Sequence, residues 1–204
     1  MSFGRLKTRL KALINRKDLT DQLAGDFILD AIAAHERNLR LEPMTALLEK
    51  TDWDGTRNVY PVPANYLTTI AFVTDEGALE YKGLDEFIRA KPNTGYPVIY
   101  TKVGNRFLLK PTPAIGKSVF LHYYAETLRP TLDTDRTLWT EVGFLATLYK
   151  AAELAADFFQ MEPDIVGGYA NKAQEHADSI AGQALDEAWS GRIAVSLPSN
   201  TGDF

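Results

Sequence analysis

Apolar spacing changes character twice along this chain, and no other feature limits its fold as strongly. Up to about residue 41 the apolar side chains recur at helical intervals. Between residues 44 and 128 they fall in short runs punctuated by proline and glycine. Helical spacing returns at Thr140 or Glu141. A period near 3.6 buries one face of a helix, and a period near 2 buries one face of a strand. The two ends of the chain are therefore expected to build helices and the middle to build β-structure. At the amino end Phe3, Leu6, Leu10 and Leu13 form one stripe. Asp18 or Thr20 is placed to cap a second helix, with Asp21 in its first turn, where the helix dipole favours an acid. Leu23, Phe27, Ala31, Ala34 and Leu39 carry that helix to about Leu41. Glu42-Pro43 ends it, because the residue before proline avoids the α region.

In the middle, residues 45–51 read as a strand and Asp54-Gly55 as a turn. Val59-Tyr60-Pro61-Val62-Pro63 is extended, since each proline fixes φ and biases its predecessor. Residues 66–74 are rich in β-branched and aromatic side chains. Asp75-Glu76-Gly77 is expected to turn them into a strand over 78–81. Residues 84–90 read as a short helix. The clearest hairpin pairs 98–102 with 106–110 around Gly104-Asn105, a dipeptide that tolerates positive φ. Residues 118–125 form the last strand, with Val119, Leu121 and Tyr123 on one face.

Beyond it a single central helix is expected to run from Thr140 or Glu141 to about Gln160, roughly 30 Å long. Phe144, Leu148, Ala151, Ala155 and Phe158 make its stripe; Leu145, Ala152, Ala156 and Phe159 thicken it. Glu162-Pro163-Asp164 restarts a further helix, which Ser190-Gly191 ends. The last residues are too polar and too rich in proline and glycine to pack alone. The expected fold is α+β. It is an antiparallel helical bundle built from both ends of the chain (1–41 and 138–190), with a central β-rich insertion (42–137) and an extended C-terminal tail (191–204).

The chain of 204 residues has no cysteine, which rules out disulfides, thiolate metal sites and cysteine nucleophiles. Arg5, Lys7, Arg9 and Lys11 interrupt every apolar stretch at the amino end, so no secretory signal is expected there. The apolar run around residues 143–149 stops at Lys150, far short of a membrane span. Net charge is −5, against a dedicated nucleic-acid binder. Charge is nonetheless polarised. Residues 1–17 hold six cations and no acid, whereas from Glu141 onward Lys150, Lys172 and Arg192 are the only cations among many acids. A basic head and an acidic tail can pair within the chain or with a neighbour. The first helix is either a core-facing helix with a solvated basic face or a surface that docks on an acidic partner.

Reaction chemistry finds no recognised constellation. His35, His122 and His176 stand apart, and none has the i, i+4 partner of a helical metal pair. Each reads as a surface or hydrogen-bonded histidine. Neither a Gly-x-Ser-x-Gly elbow nor a phosphate-binding P-loop occurs, and Gly167-Gly168 is a helix start or kink. Asp133 and Asp135 have the proximity of a cation loop. Thr137 and Leu138 stand where the calcium pattern needs other residues, so the segment is expected to be a turn capping the next helix. Abundant carboxylates keep a two-acid hydrolase as a competing reading. Tyr60, Tyr66, Tyr96, Tyr100, Tyr123 and Tyr124 concentrate in the β-rich part, as bulk for a small core or as an interface.

Four stretches, taken in order, resemble one known family. They are Ala33-Ala-His-Glu-Arg-Asn-Leu-Arg40, Tyr60-Pro-Val-Pro-Ala-Asn-Tyr66, the segment from Tyr96-Pro-Val-Ile-Tyr100 through Leu108-Leu-Lys-Pro-Thr-Pro113, and Trp139 through Phe159 with Tyr149, Ala151, Ala152 and Glu153. In this order they are similar to the bacteriophage head-to-tail adaptor proteins, also called head completion or connector proteins, of short-tailed and related tailed phages. Two departures stand out. Asn65 lies where the family usually has an acid, and Arg136-Thr137-Leu138 replaces a common Asn before the tryptophan.

The resemblance implies a non-enzymatic virion protein made in the host cytoplasm and lodged in the neck between head and tail. It implies a homo-oligomeric ring, typically of twelve copies, bound beneath the portal protein. Such a ring extends the DNA channel and carries the tail or nozzle proteins. Double-stranded DNA would pass without sequence-specific contact, and neither cofactor, metal nor membrane is involved. Opposite charge at the two ends suits the heterologous contacts that close rings. A modestly acidic channel would not hold phosphate. In this picture Arg192, Ile193, Val195, Leu197 and Phe204 are candidate portal contacts. Arg5, Lys7, Arg9, Lys11, Arg16 and Lys17 are candidate ring or partner contacts. Alternatives are another tail ring, either a stopper or a tail terminator, and a nucleic-acid-binding regulator that uses the basic first helix.

Overall fold

A computed structural model describes residues 1–91 and 95–190, with the backbone alone for 185–190. The expected tail, including Arg192, Ile193, Val195, Leu197 and Phe204, lies outside the described residues. The chain is α+β. In order it forms α1 (Phe3–Ile14), α2 (Asp21–Asn38), a 3₁₀ turn (Glu42–Met44), β1 (Thr45–Lys50), β2 (Val59–Pro61), β3 (Tyr66–Thr74), β4 (Gly77–Ala78) and β5 (Glu80–Tyr81). It continues with α3 (Leu84–Arg89), β6 (Ile99–Val103), β7 (Arg106–Lys110), β8 (Val119–Ala125), α4 (Leu138–Glu141), α5 (Phe144–Phe158) and α6 (Pro163–Ser190). It divides into two units, one taking Met1–Glu42 with the chain from Leu128 onward, the other Pro43–Thr127.

In the helical unit α5 packs against α1, α2 and α6. Its small residues Ala151, Ala152, Ala155 and Ala156 are all fully buried, which lets neighbouring backbones approach closely. Of the two possible caps of α2, Thr20 is the one used, its hydroxyl accepting from Leu23 N–H at 3.2 Å. Three expectations are corrected. The buried stripe of α1 runs from Leu10 to Ile14, four residues on and on the same helix face, which leaves Leu13 only half-buried. Helix α2 stops at Asn38, three residues short of Leu41. The single helix expected up to Gln160 is broken at Val142-Gly143 into α4 and α5. The break follows from Trp139, whose fully buried ring occupies the place a side chain at 143 would take: a Cβ on Gly143 would sit 2.6 Å from Trp139 Cε3.

The β unit holds two four-stranded sheets, in the orders β1-β8-β3-β4 and β2-β7-β6-β5. The hairpin of β6 and β7 closes at Val103↔Arg106 around Gly104-Asn105, with Gly104 at φ 57°. On β8, Val119, Leu121 and Tyr123 point into the core as their alternation requires. Residues 78–81 do not form one strand. Gly77–Ala78 pairs with β3, and Glu80–Tyr81 pairs in parallel with β6 in the other sheet. Leu79 between them is buried, its N–H donating to Phe72 O at 2.8 Å, while Glu80 N–H donates to Val98 O. The chain changes sheets at this residue because its side chain is drawn into the core.

That core settles the tyrosine question for three positions. Tyr60, Tyr100 and Tyr123 are buried, and Phe72 meets Tyr60 and Phe107 edge to face and Tyr100 at a tilt, with ring centroids 5.3, 4.9 and 4.8 Å away. The Tyr60 hydroxyl donates to Leu48 O at 2.7 Å, and burial pushes its pKa up. Asn65 keeps the acceptor that an acid would supply there, since its Oδ1 receives the Tyr123 hydroxyl at 3.2 Å. Lys110 caps α3, donating to Phe87 O at 2.8 Å and Ala90 O at 3.0 Å.

Candidate functional site

The basic first helix is docked rather than free along much of its length. A helix begins with N–H groups that have no partner within it. Here Phe3 N–H and Gly4 N–H donate to the carbonyls of Asp135 and Asp133, both at 3.0 Å. The approach is close because position 4 is glycine: a Cβ there would lie 2.8 Å from Asp133 Cβ. The Asp133 carboxylate pairs with Lys7. The Asp135 carboxylate turns back on its own loop, accepting from Thr131 and Leu132 N–H at 2.8 Å, which lowers its pKa. The two aspartates thus brace α1, while Thr137 at the end of the same segment is the N-cap of the next helix, α4, as expected. Closure of α4 falls to Thr140, whose hydroxyl accepts from Thr137 N–H at 2.8 Å.

Further along, Lys11 binds Asp21 at 2.6 Å and Arg16 binds Asp18 at 2.8 Å, each partner holding the acid below the usual carboxylate range. Arg9 lies over the Phe144 ring at 5.4 Å and Arg16 over Phe159 at 4.8 Å. Arg5 and Lys17 are exposed and make no ion pair among the described residues. Among the described residues, Lys7, Lys11 and Arg16 are therefore answered by acids from α2 and from the loops before α2 and α4, not by those of α6.

Sequence reasoning missed a buried polar cluster. Glu36 is only 1% exposed, yet its carboxylate accepts from Trp139 Nε1 at 3.1 Å and pairs with Arg129 at 2.7 Å. His35, 6% exposed, stacks on the Trp139 ring at 5.3 Å, and its Nε2 has no hydrogen-bond partner. Burial pushes the His35 pKa down. The signal was present in the sequence: Glu36 follows Ile28 and Ile32 at i+8 and i+4, on the inward face of α2. His35 is a core residue. His176 stacks on Tyr149 at 5.5 Å, and His122 sits half-buried on β8. Among the described residues no three His, Asp or Glu side chains gather as a metal site, and no helix is long and apolar enough to cross a membrane.

Two surfaces remain that suit docking. In the helical unit, Val142 is 61% exposed and Leu145 41% exposed, and with Ile180 of α6 they line a groove of about 410 Å³. In the β unit, register places Leu47, His122 and Ala71 side by side on the outer face of one sheet, next to Phe120 and Val73, and Leu47 is 66% exposed. Comparison with known proteins completes the description. A family model described as SU10 adaptor protein matches residues 1–196, which covers the β unit and all but the last eight residues of the helical unit, and the chain belongs to that family. Membership carries a structural, non-enzymatic role as a phage head-to-tail adaptor. It also implies a place in the virion neck and contact with portal and tail components. No curated protein matches the chain.

Proposed function

We propose, from membership of the SU10 adaptor family, that copies of this chain form a ring, typically of twelve, that binds beneath the portal protein of a short-tailed or related phage. The ring extends the DNA channel and offers the tail its platform. The helical unit, arranged as an antiparallel bundle, forms the ring body. Residues 42–137 project toward tail or nozzle proteins. Residues 191–204 reach the portal through Arg192, Ile193, Val195, Leu197 and Phe204. Arg5 and Lys17, the exposed cations of the amino end with neither an ion pair nor a ring contact among the described residues, contact neighbouring copies. Lys7, Arg9, Lys11 and Arg16 support that surface from within the chain. The observation that carries this reading is the family match over residues 1–196, which spans the β unit and nearly all of the helical unit. Heterologous contacts between identical subunits close into rings when the rotation permits.

The test is the mass of the protein alone and after mixing with a portal ring. The expected result is a stable complex holding a ring's worth of copies, and removal of residues 192–204 should abolish it while the truncated chain stays folded. A chain that never joins a portal would overturn the proposal, and undiminished binding by the truncated chain would overturn the role given to its tail.

A further inference from the structure

Polar groups converge on a smaller cleft of the helical unit, lined by α2, α5 and α6. Helix α5 packs against the other two. The side chains that α6 gives to this cleft include Ala170, Ala173 and Ala177, spaced by three and four on one helix face. Methyl groups are too short to fill the space, and a cleft of about 100 Å³ is left. His35 of α2, 6% exposed, forms part of its wall, with one ring face covered by Trp139. Asn38 and Gln174 bring one amide each from α2 and α6. Lys150 and Glu153 come from α5, the ammonium donating to both carboxylate oxygens at 2.9 Å. The Gln174 amide nitrogen donates to Asp178 at 2.7 Å, so its carbonyl oxygen is the group it can offer the cleft. His35 Nε2 is buried and finds no hydrogen-bond partner in the protein. A buried polar atom left unpaired is costly, and ordered water meets such atoms where side chains do not reach.

Size and chemistry choose the ligand. Pockets for organic ligands measure about 300–1,000 Å³, several times this cleft. A water molecule takes about 30 Å³ in the liquid, so there is room for about three. A metal ion would find His35 alone, because Lys150 holds both Glu153 oxygens and no three metal-ligating side chains gather among the described residues. An anion would meet a Lys150 charge that Glu153 already balances. Water both donates and accepts, so it satisfies Nε2 whichever ring nitrogen carries the proton.

We infer that this cleft is a water-binding site, in which an ordered water bonds His35 Nε2 and, with one or two neighbours, reaches Asn38, Glu153 and the Gln174 carbonyl. Helices α2 and α6 are thereby joined through water along a seam that their side chains do not close. The site belongs to the single subunit and needs neither ring nor portal.

The experiment uses the full chain on its own. A crystal structure that resolves solvent is expected to place a water within about 3.2 Å of His35 Nε2. In solution, water-selective NMR of histidine-labelled protein should show a cross-peak between His35 Hε1 and a water that stays far longer than surface hydration does. Ala173→Leu puts a branched side chain into the cleft with little change in helix propensity. It should abolish the cross-peak. It should also lower the urea midpoint more in the natural background than in His35→Phe, which has no nitrogen to leave unpaired. If that variant does not fold, Gln174→Leu takes its place. Empty density at Nε2, a metal or an anion there, no cross-peak in the folded natural protein, or an equal change of midpoint in both backgrounds would overturn the inference.

Discussion

His35 is buried against an aromatic ring, and its protonation has a defined effect. Desolvation lowers its pKa from the ordinary 6.5, with Lys150 acting in the same direction, against the Ala146 carbonyl and Glu153, which favour the charged form. A histidine whose folded pKa is depressed binds protons more readily in the unfolded chain. Its contribution to stability is full above pH 6.5 and is lost as pH falls from there toward the folded value. Denaturation midpoints are therefore expected to fall between about pH 7.5 and about pH 5.5, a window in which ordinary carboxylates stay ionised. In His35→Phe, which keeps a ring against Trp139, that pH dependence should shrink. Equal slopes for the two proteins in urea titrations would show that His35 is not its source. Glu36, the next residue, is tied to Trp139 and Arg129, so the end of α2 is held by polar as well as apolar contacts.

At the scale of elements, the break between α4 and α5 depends on one missing side chain. Gly143 lets Trp139 stay fully buried, and Gly143 N–H still donates to Leu138 O at 3.0 Å. Gly143→Ala would raise helix propensity and yet should destabilise the helical unit by about 2 kcal/mol, because the added methyl drives the Trp139 ring out of its site. Urea unfolding measures the loss, and Trp139 fluorescence should move toward that of a more solvated indole. A neutral or stabilising result would mean that the ring has room to shift. Periodicity alone cannot reveal such a break, since the apolar stripe runs on from Phe144 regardless. The same limit applies to residues 78–81, where an extended segment is legible but its division between two sheets depends on Leu79 finding the core.

At the scale of the whole molecule, each unit has its own core. That of the β unit centres on Phe72, which touches three other rings. Phe72→Ala is expected to destabilise the β unit by about 4 kcal/mol. Hydrogen exchange should show protection lost on β3 and β8 but kept on α5. Protection lost on both to the same degree would mean that the two cores unfold as one. Some element boundaries were legible in the sequence because they depend on local chemistry: Gly104-Asn105 in the hairpin and Pro163 at the start of α6. Of the candidate site, the cations of α1 were visible, but not which of them were already paired. Lys7 meets Asp133 across more than a hundred residues, and spacing along the chain carries no information about such a contact.

The order of its apolar residues by itself determined that this chain folds helices from its ends and sheets from its middle, because burial of one face demands a matching period. Only the tertiary structure decided that Glu36 and His35 are interior, that Trp139 splits a helix and that Lys7, Lys11 and Arg16 of the basic amino end are paired with acids. Each of those outcomes depends on a partner distant in sequence, and only folding brings it within reach.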